Sequence, residues 1–269
     1  MPPAAAHHPT GPGRTVTDDL GACVPLPAGP VTRVVSLVPS LTEALAVTRR
    51  AALVGATDWC THPTDLDITR VRGTKNPDRR AIEELRPELV VCVQEENREL
   101  DVRRLREAGV PVWVGVIESV DDALRAMRSL FGEVLGWGEP AWLTEATRLL
   151  GGGQEEAGGP HTRVAVPIWR DPWMVVGSAN YTSDLLARMG MSNVFGDSSG
   201  AERYPHVEVQ QIDTAGADVV LLPDEPYVFT DDDGPEAFAR TPTRLVSGRL
   251  LTWYGPAMVE AWEQLGEPR

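Results

Sequence analysis

The chain has 269 residues, 42% of them apolar, enough for one large or two ordinary domains with a proper core. Its 39 acidic against 25 basic side chains give a formal charge of −14, which excludes the broad basic face that nucleic-acid binding requires. Cys23, Cys60 and Cys92 are odd in number and form no Cys-x-x-Cys pair, which excludes a disulfide framework and a zinc knuckle.

Residues 1–17, rich in Pro, Ala, His and Gly, read as a disordered tail. Met1 to Gly13 has no basic n-region followed by an apolar h-region, although Leu20-Gly21-Ala22-Cys23 is superficially similar to a lipoprotein cleavage site. No stretch approaches the ~18 apolar residues of a membrane-spanning helix. The expectation is therefore a soluble, cytoplasmic protein.

From Arg33 the pattern becomes strand, turn, helix. Val34 to Val38 is a β-branched run closed by Pro39, and Ser40-Leu41-Thr42-Glu43 has the form of a capping box with Ser40 as N-cap. Apolar runs at Leu53–Ala56, Leu89–Val93 and Val112–Val116 alternate with helical segments at Arg79–Leu85 and Glu99–Ala108. Such βα alternation predicts a mainly parallel sheet. Helical spacing over Ser119–Leu135 and Ala141–Leu150 precedes a linker of five glycines, Gly151–Pro160. Alternation then resumes with strands at Val164–Ile168, Asp218–Leu222 and Arg244–Val246, a helix around Ser183–Met189, and a terminal helix Ala257–Leu265. The predicted organisation is an N-terminal α/β lobe over 18–136, a connecting helix and Gly-rich linker over 137–160, and a C-terminal α/β lobe over 161–269.

Three aromatic clusters stand just after predicted strands: Asp58-Trp59-Cys60-Thr61-His62-Pro63, Pro167 to Met174 with Trp169, Arg170 and Trp173, and Trp253-Tyr254-Gly255-Pro256. Indoles beside a guanidinium make a rigid amphipathic surface suited to a flat, partly polar ligand, though any one ring serves a core equally well. Two strands also deliver acidic pairs to their C-terminal ends, Glu95-Glu96 and Asp224-Glu225. Ligands of open α/β sheets bind beyond those ends, and solvated loop carboxylates are the alternative.

The first strand-to-helix turn lacks glycine, Gly73-Thr74-Lys75-Asn76-Pro77 lacks phosphate-cradling spacing, and Gly-x-Ser-x-Gly is absent. A dinucleotide fold, a P-loop and a hydrolytic triad are thereby disfavoured. Asp58, Cys60 and His62 are the best candidates for metal or nucleophilic work, at a spacing too common to be specific. The readings open at this point are a non-catalytic receptor, an enzyme working through those three residues, and a scaffold whose acidic loops bind a protein.

Arg33 to Glu43, Gly73 to Pro77, Arg86-Pro87-Glu88-Leu89-Val90 and Trp253 to Pro256, in that order along residues 17–266, resemble the helical-backbone metal receptor family, with vitamin B12-binding proteins of ABC importers most similar and iron-siderophore and haem receptors as cousins. The resemblance implies a class III periplasmic-binding-protein-like fold. That fold is two Rossmann-like α/β lobes on a helical backbone, holding cobalamin, another corrinoid or a metal chelate between the lobes. No intrinsic cofactor or oligomer is implied. Carried over by position, Ser40, Trp59, Lys75, Gln94, Glu95, Glu96 and Asn97 form the ligand wall of the first lobe. Trp169, Arg170, Trp173, Tyr204, Asp224, Tyr227, Trp253 and Tyr254 form that of the second. Family members dock on a permease through one surface glutamate per lobe. Glu99 matches the first and Gln210 replaces the second, so weak docking is the expectation.

Overall fold

A computed structural model describes residues 13–152, 162–196 and 202–266. Residues 1–12 of the expected tail, with His7 and His8, and residues 153–160 of the expected linker lie outside the described residues. The chain divides into two compact units, one formed by residues up to 116 with 126–140, the other by 117–125 with 141 onward.

The first unit opens with an antiparallel hairpin, β1 (Arg14–Thr17) and β2 (Cys23–Leu26), in which Arg14 faces Leu26 and Thr17 faces Cys23. Residues 14–17 are thus ordered, contrary to the compositional expectation of a tail. The reason is Asp18, whose buried carboxylate accepts from the Leu20 and Ala22 amides at 3.1 and 2.8 Å and pairs with Arg106 at 2.5 Å. Leu20-Gly21-Ala22 is the turn of this hairpin, with Gly21 at φ 81°.

After β3 (Val34–Ser36) come α1 (Pro39–Arg49), β4 (Leu53–Ala56), β5 (Thr69–Arg70), and a small antiparallel pair, β6 (Arg72–Gly73) with β7 (Asn76–Pro77). Then follow α2 (Arg79–Leu85), β8 (Leu89–Val93), α3 (Glu99–Glu107) and β9 (Val112–Gly115). The sheet is wholly parallel in the order β5-β4-β3-β8-β9. Strand β8 is buried at every residue, as a strand covered on both faces must be. Val35, Val90, Cys92, Val112 and Val114 pack against Ile82 of α2 and Val102 and Leu105 of α3.

The capping box is not formed. Helix α1 begins two residues earlier, at Pro39, with Val38 rather than Ser40 as N-cap. Proline has its φ already set for the first helical position and lacks an N–H that would go unpaired there. Ser40 consequently lies inside the first turn.

Helix α4 (Val120–Arg128) runs on into a π-helical turn over Ser129–Val134, and the division between units falls within α4, after Arg125. In the second unit α5 (Ala141–Leu150) precedes β10 (Thr162–Ala165), which leads into the antiparallel hairpin β11 (Pro167–Trp169) and β12 (Met174–Val175). There follow α6 (Tyr181–Arg188), β13 (Met191–Asn193), α7 (Val209–Thr214), β14 (Val219–Pro223), β15 (Thr243–Val246), α8 (Gly248–Thr252) and α9 (Pro256–Leu265). Asn180 caps α6 by accepting from the Ser183 amide at 3.0 Å, and a Glu208/Gln211 capping box starts α7.

The second sheet is also parallel, in the order β13-β10-β14-β15. The order reverses between β3 and β8 in one unit and between β10 and β14 in the other. Those two reversals are the switch points where open α/β sheets place ligands.

Candidate functional site

At the switch point of the first unit, the loops after β3 and β8 bring together Ser40 and residues 94–97. Ser40 is buried, and its hydroxyl has no hydrogen-bond partner among the described residues. Gln94 and Glu95 are exposed and Glu96 half-buried. Lys75, on the β6–β7 turn, donates to the Glu95 carbonyl oxygen at 2.9 Å and so joins the same cluster. Asn97 is structural instead. Its Oδ1 accepts from the Val93 amide at 2.9 Å, and its Nδ2 donates to the Leu37 and Thr74 carbonyls at 3.2 and 3.1 Å. It is buried and ties three loops together. Trp59 is 67% exposed, a large cost for an indole that nothing covers.

Cys60 is buried, with the Thr42 and Thr57 hydroxyls 3.0 and 3.1 Å from its sulfur. Burial pushes its thiol pKa up, so it stays protonated and inert. Asp58 is exposed, and His62 is half-buried with Nδ1 3.1 Å from the Thr61 hydroxyl. No group of three or more His, Cys, Asp or Glu among the described residues is arranged to hold a metal ion.

At the switch point of the second unit, β11 and the loop after β14 place Trp169 edge-on to Tyr227, ring centres 5.8 Å apart. Trp169 is 45% exposed. The Tyr227 hydroxyl donates to Asp233 at 2.7 Å. Arg170 is held by Asp233 and by Glu236, the latter at 2.5 Å, and lies over the Trp173 ring. Trp173 itself is core, stacked on Phe229 at 5.8 Å and edge-on to Phe238 at 5.5 Å. Trp253 and Tyr254 are buried as well: the Tyr181 hydroxyl donates to the Trp253 carbonyl at 3.2 Å, and Tyr254 packs edge-on against Tyr181. Tyr204 is half-buried, and Asp224 accepts from the Gly248 amide at 2.6 Å.

The second-unit positions therefore separate by exposure. Trp169, Asp224 and Tyr227 remain at the loop surface, while Trp173, Trp253 and Tyr254 are spent on packing. Val228, 63% exposed between two aromatic residues, lies outside the set of sequence candidates. Its signal is an apolar residue in a loop just beyond a strand's C-terminal end.

Glu225 is mostly buried beside Asp224, and desolvation first, then the Asp224 charge, raises its carboxyl pKa in the folded state. A raised carboxyl pKa is a penalty present in full above the folded value and removed as pH falls through it toward the unfolded value. Glu225→Gln should therefore raise the melting temperature at pH 7, and the gap from the parent should close on acidification. Melting curves across pH 4 to 7 that show no such convergence would refute the assignment.

Two α/β units with parallel sheets, each with exposed aromatic and polar loops at its switch point, have the architecture of the class III periplasmic-binding type. No family model matches the chain. A vitamin B12-binding protein of Salmonella paratyphi A is 30% identical over 186 residues, 67% of this chain and 68% of the relative. Among solved structures, the periplasmic vitamin B12-binding protein of Vibrio cholerae superposes with a TM-score of 0.68 at 18% identity, covering 88% of this chain and 95% of that one. A periplasmic heme-binding protein from Pseudomonas aeruginosa superposes with a TM-score of 0.74 at 19% identity, covering 88% and 91%. The chain belongs to the helical-backbone metal receptor family, and it is a binding protein rather than an enzyme.

The expectation of a cytoplasmic protein is corrected by these relatives, whose solved members are periplasmic binding proteins. That expectation rested on how the sequence begins, which says nothing of where the folded receptor works. No helix among the described residues is long and apolar enough to cross a membrane.

Proposed function

We propose that this chain is a periplasmic receptor for a neutral or cationic corrinoid, cobalamin foremost, recognised through switch-point loops. The observation that carries the choice of ligand is charge. Loops 170–173 and 224–236 hold seven carboxyl side chains and one cation, Arg170, already engaged by Asp233 and Glu236. An anionic chelate such as haem, with two propionates, meets like charge there, and like-charge juxtaposition is strongly unfavourable. A corrinoid presents a flat apolar ring edged with amides, and each unit taken by itself offers loop-surface groups that suit it by stacking and hydrogen bonding, Trp59 and Gln94 in the first, Trp169, Tyr227 and Asp224 in the second.

The receptor acts as a monomer. Its docking on an importer permease rests on Glu99, exposed at the start of α3, while Gln210 on α7 supplies no charge.

Titrations of intrinsic fluorescence with cobalamin, cobinamide and haem test the reading. Both corrinoids should quench tryptophan emission and raise the melting temperature, and haem should bind at least about tenfold more weakly. Unchanged fluorescence and melting with both corrinoids, or tight haem binding, would overturn it.

A further inference from the structure

A concavity lies wholly within the first unit, between the base of the β6–β7 hairpin, the start of α2 and the first two turns of α3. Its volume is about 490 Å³, within the range of small-molecule sites. Four arginines line it, Arg72, Arg79, Arg80 and Arg104, with Asp78, Asp101 and a small apolar floor of Pro77 and Leu105. In a chain of net charge −14, a gathering of four guanidinium groups at one concave place runs against the overall balance.

Three features show that these groups are not all consumed by packing. Arg79 and Arg80 make exposed pairs with Glu83 and Glu84 one turn on, at 3.0 and 2.9 Å, which an incoming anion can outcompete at little cost. Arg104 makes no side-chain hydrogen bond or ion pair among the described residues. Asp101, one turn before Arg104, has a buried Oδ2 with no partner. A buried carboxylate oxygen left unpaired is costly and asks for a donor.

Backbone conformation adds a fourth. Arg72 has φ 67°, the left-handed region that a side chain with a β-carbon rarely adopts, and it is held so while its guanidinium reaches Asp78 at 3.4 Å. That turn sets Arg72 at the edge of the concavity it lines.

We infer that this concavity binds a phosphorylated small molecule carrying a hydroxyl close to its phosphate. The guanidinium forks match phosphate oxygens, and a carboxylate oxygen accepts from a hydroxyl. The site is separate from the switch-point loops and independent of the corrinoid reading. It would let the receptor respond to a phosphate ester or to phosphate itself, two sources the experiment separates.

Isothermal titration of the whole protein with ribose 5-phosphate and with inorganic phosphate is the test, with and without saturating cobalamin. Ribose 5-phosphate should bind more tightly than phosphate, and cobalamin should leave both affinities unchanged. Arg104→Gln, an exposed change that should preserve the melting temperature, should weaken both ligands about tenfold or more, the size of a lost charge-assisted hydrogen bond. Asp101→Asn should erase the preference for the sugar phosphate over phosphate. Absence of heat with both probes at millimolar concentration, unaltered binding in Arg104→Gln, or displacement of either probe by cobalamin would each overturn the inference.

Discussion

Replacing Asp18 by alanine should destabilise the first unit by about 3 to 5 kcal/mol, the usual effect of removing one partner from a buried ion pair. The side chain is fully buried, and its two oxygens serve the Arg106 guanidinium and the amides of Leu20 and Ala22. Arg106 also donates to the Val112 carbonyl at 3.0 Å, so the pair links the β1–β2 turn to α3 and to the edge strand β9. Without the carboxylate, a partly buried cation and two turn amides lose their acceptor together. Asp18→Asn keeps an acceptor for the amides but no charge, and should fall between parent and alanine. Denaturant unfolding checks both variants. An alanine variant within about 0.5 kcal/mol of the parent, the size of an ordinary surface substitution, would show that the hairpin is decoration.

Much of the architecture is legible because parallel α/β units announce themselves. Buried strands such as Leu89–Val93 read as unbroken apolar, β-branched-rich runs, and Arg79–Leu85 keeps helical spacing behind an Asp cap. What stays hidden is set by single long-range contacts. The β1–β2 hairpin depends on Asp18 reaching Arg106, 88 residues away, which no local window reports. At the start of α1 two local signals compete: Ser40 has the side chain of an N-cap, but Pro39 is the stronger mark of a first helical position and prevails.

The candidate site is legible as a set of loops and not as a set of side chains. Both acidic pairs do follow their strands, Glu95-Glu96 after β8 and Asp224-Glu225 after β14. Composition does not separate Trp169, half exposed on β11, from Trp173, four residues on and stacked in the core. Trp169 is the last residue of β11, opposite Met174, whereas Trp173 closes the turn before β12, a difference set by the register of the hairpin. Asn97 stands in the loop where a ligand contact is expected, yet its amide holds the loop together from inside.

The second large effect is expected at Gly248, at the start of α8. A β-carbon there would stand 2.5 Å from the Glu225 carbonyl oxygen and 3.0 Å from its amide nitrogen, both backbone atoms that cannot rotate away. The Gly248 amide also donates to Asp224 at 2.6 Å, so the close approach is what pins the loop after β14. Gly248→Ala must push that loop aside, at a cost of about 1 to 3 kcal/mol typical of overpacking. The loop carries Asp224, Tyr227 and Val228, so corrinoid affinity should fall along with stability. Trp169→Ala gives the contrast: it removes an exposed ring from the proposed wall and should weaken cobalamin about tenfold through lost stacking and burial. Its melting temperature should stay within about a degree or two of the parent, the range of an ordinary surface substitution. Paired melting and titration measurements separate the cases. If Gly248→Ala loses stability but keeps full affinity, the loop after β14 does not touch the ligand; if Trp169→Ala binds cobalamin as the parent does, the ligand wall of the second unit must be sought elsewhere.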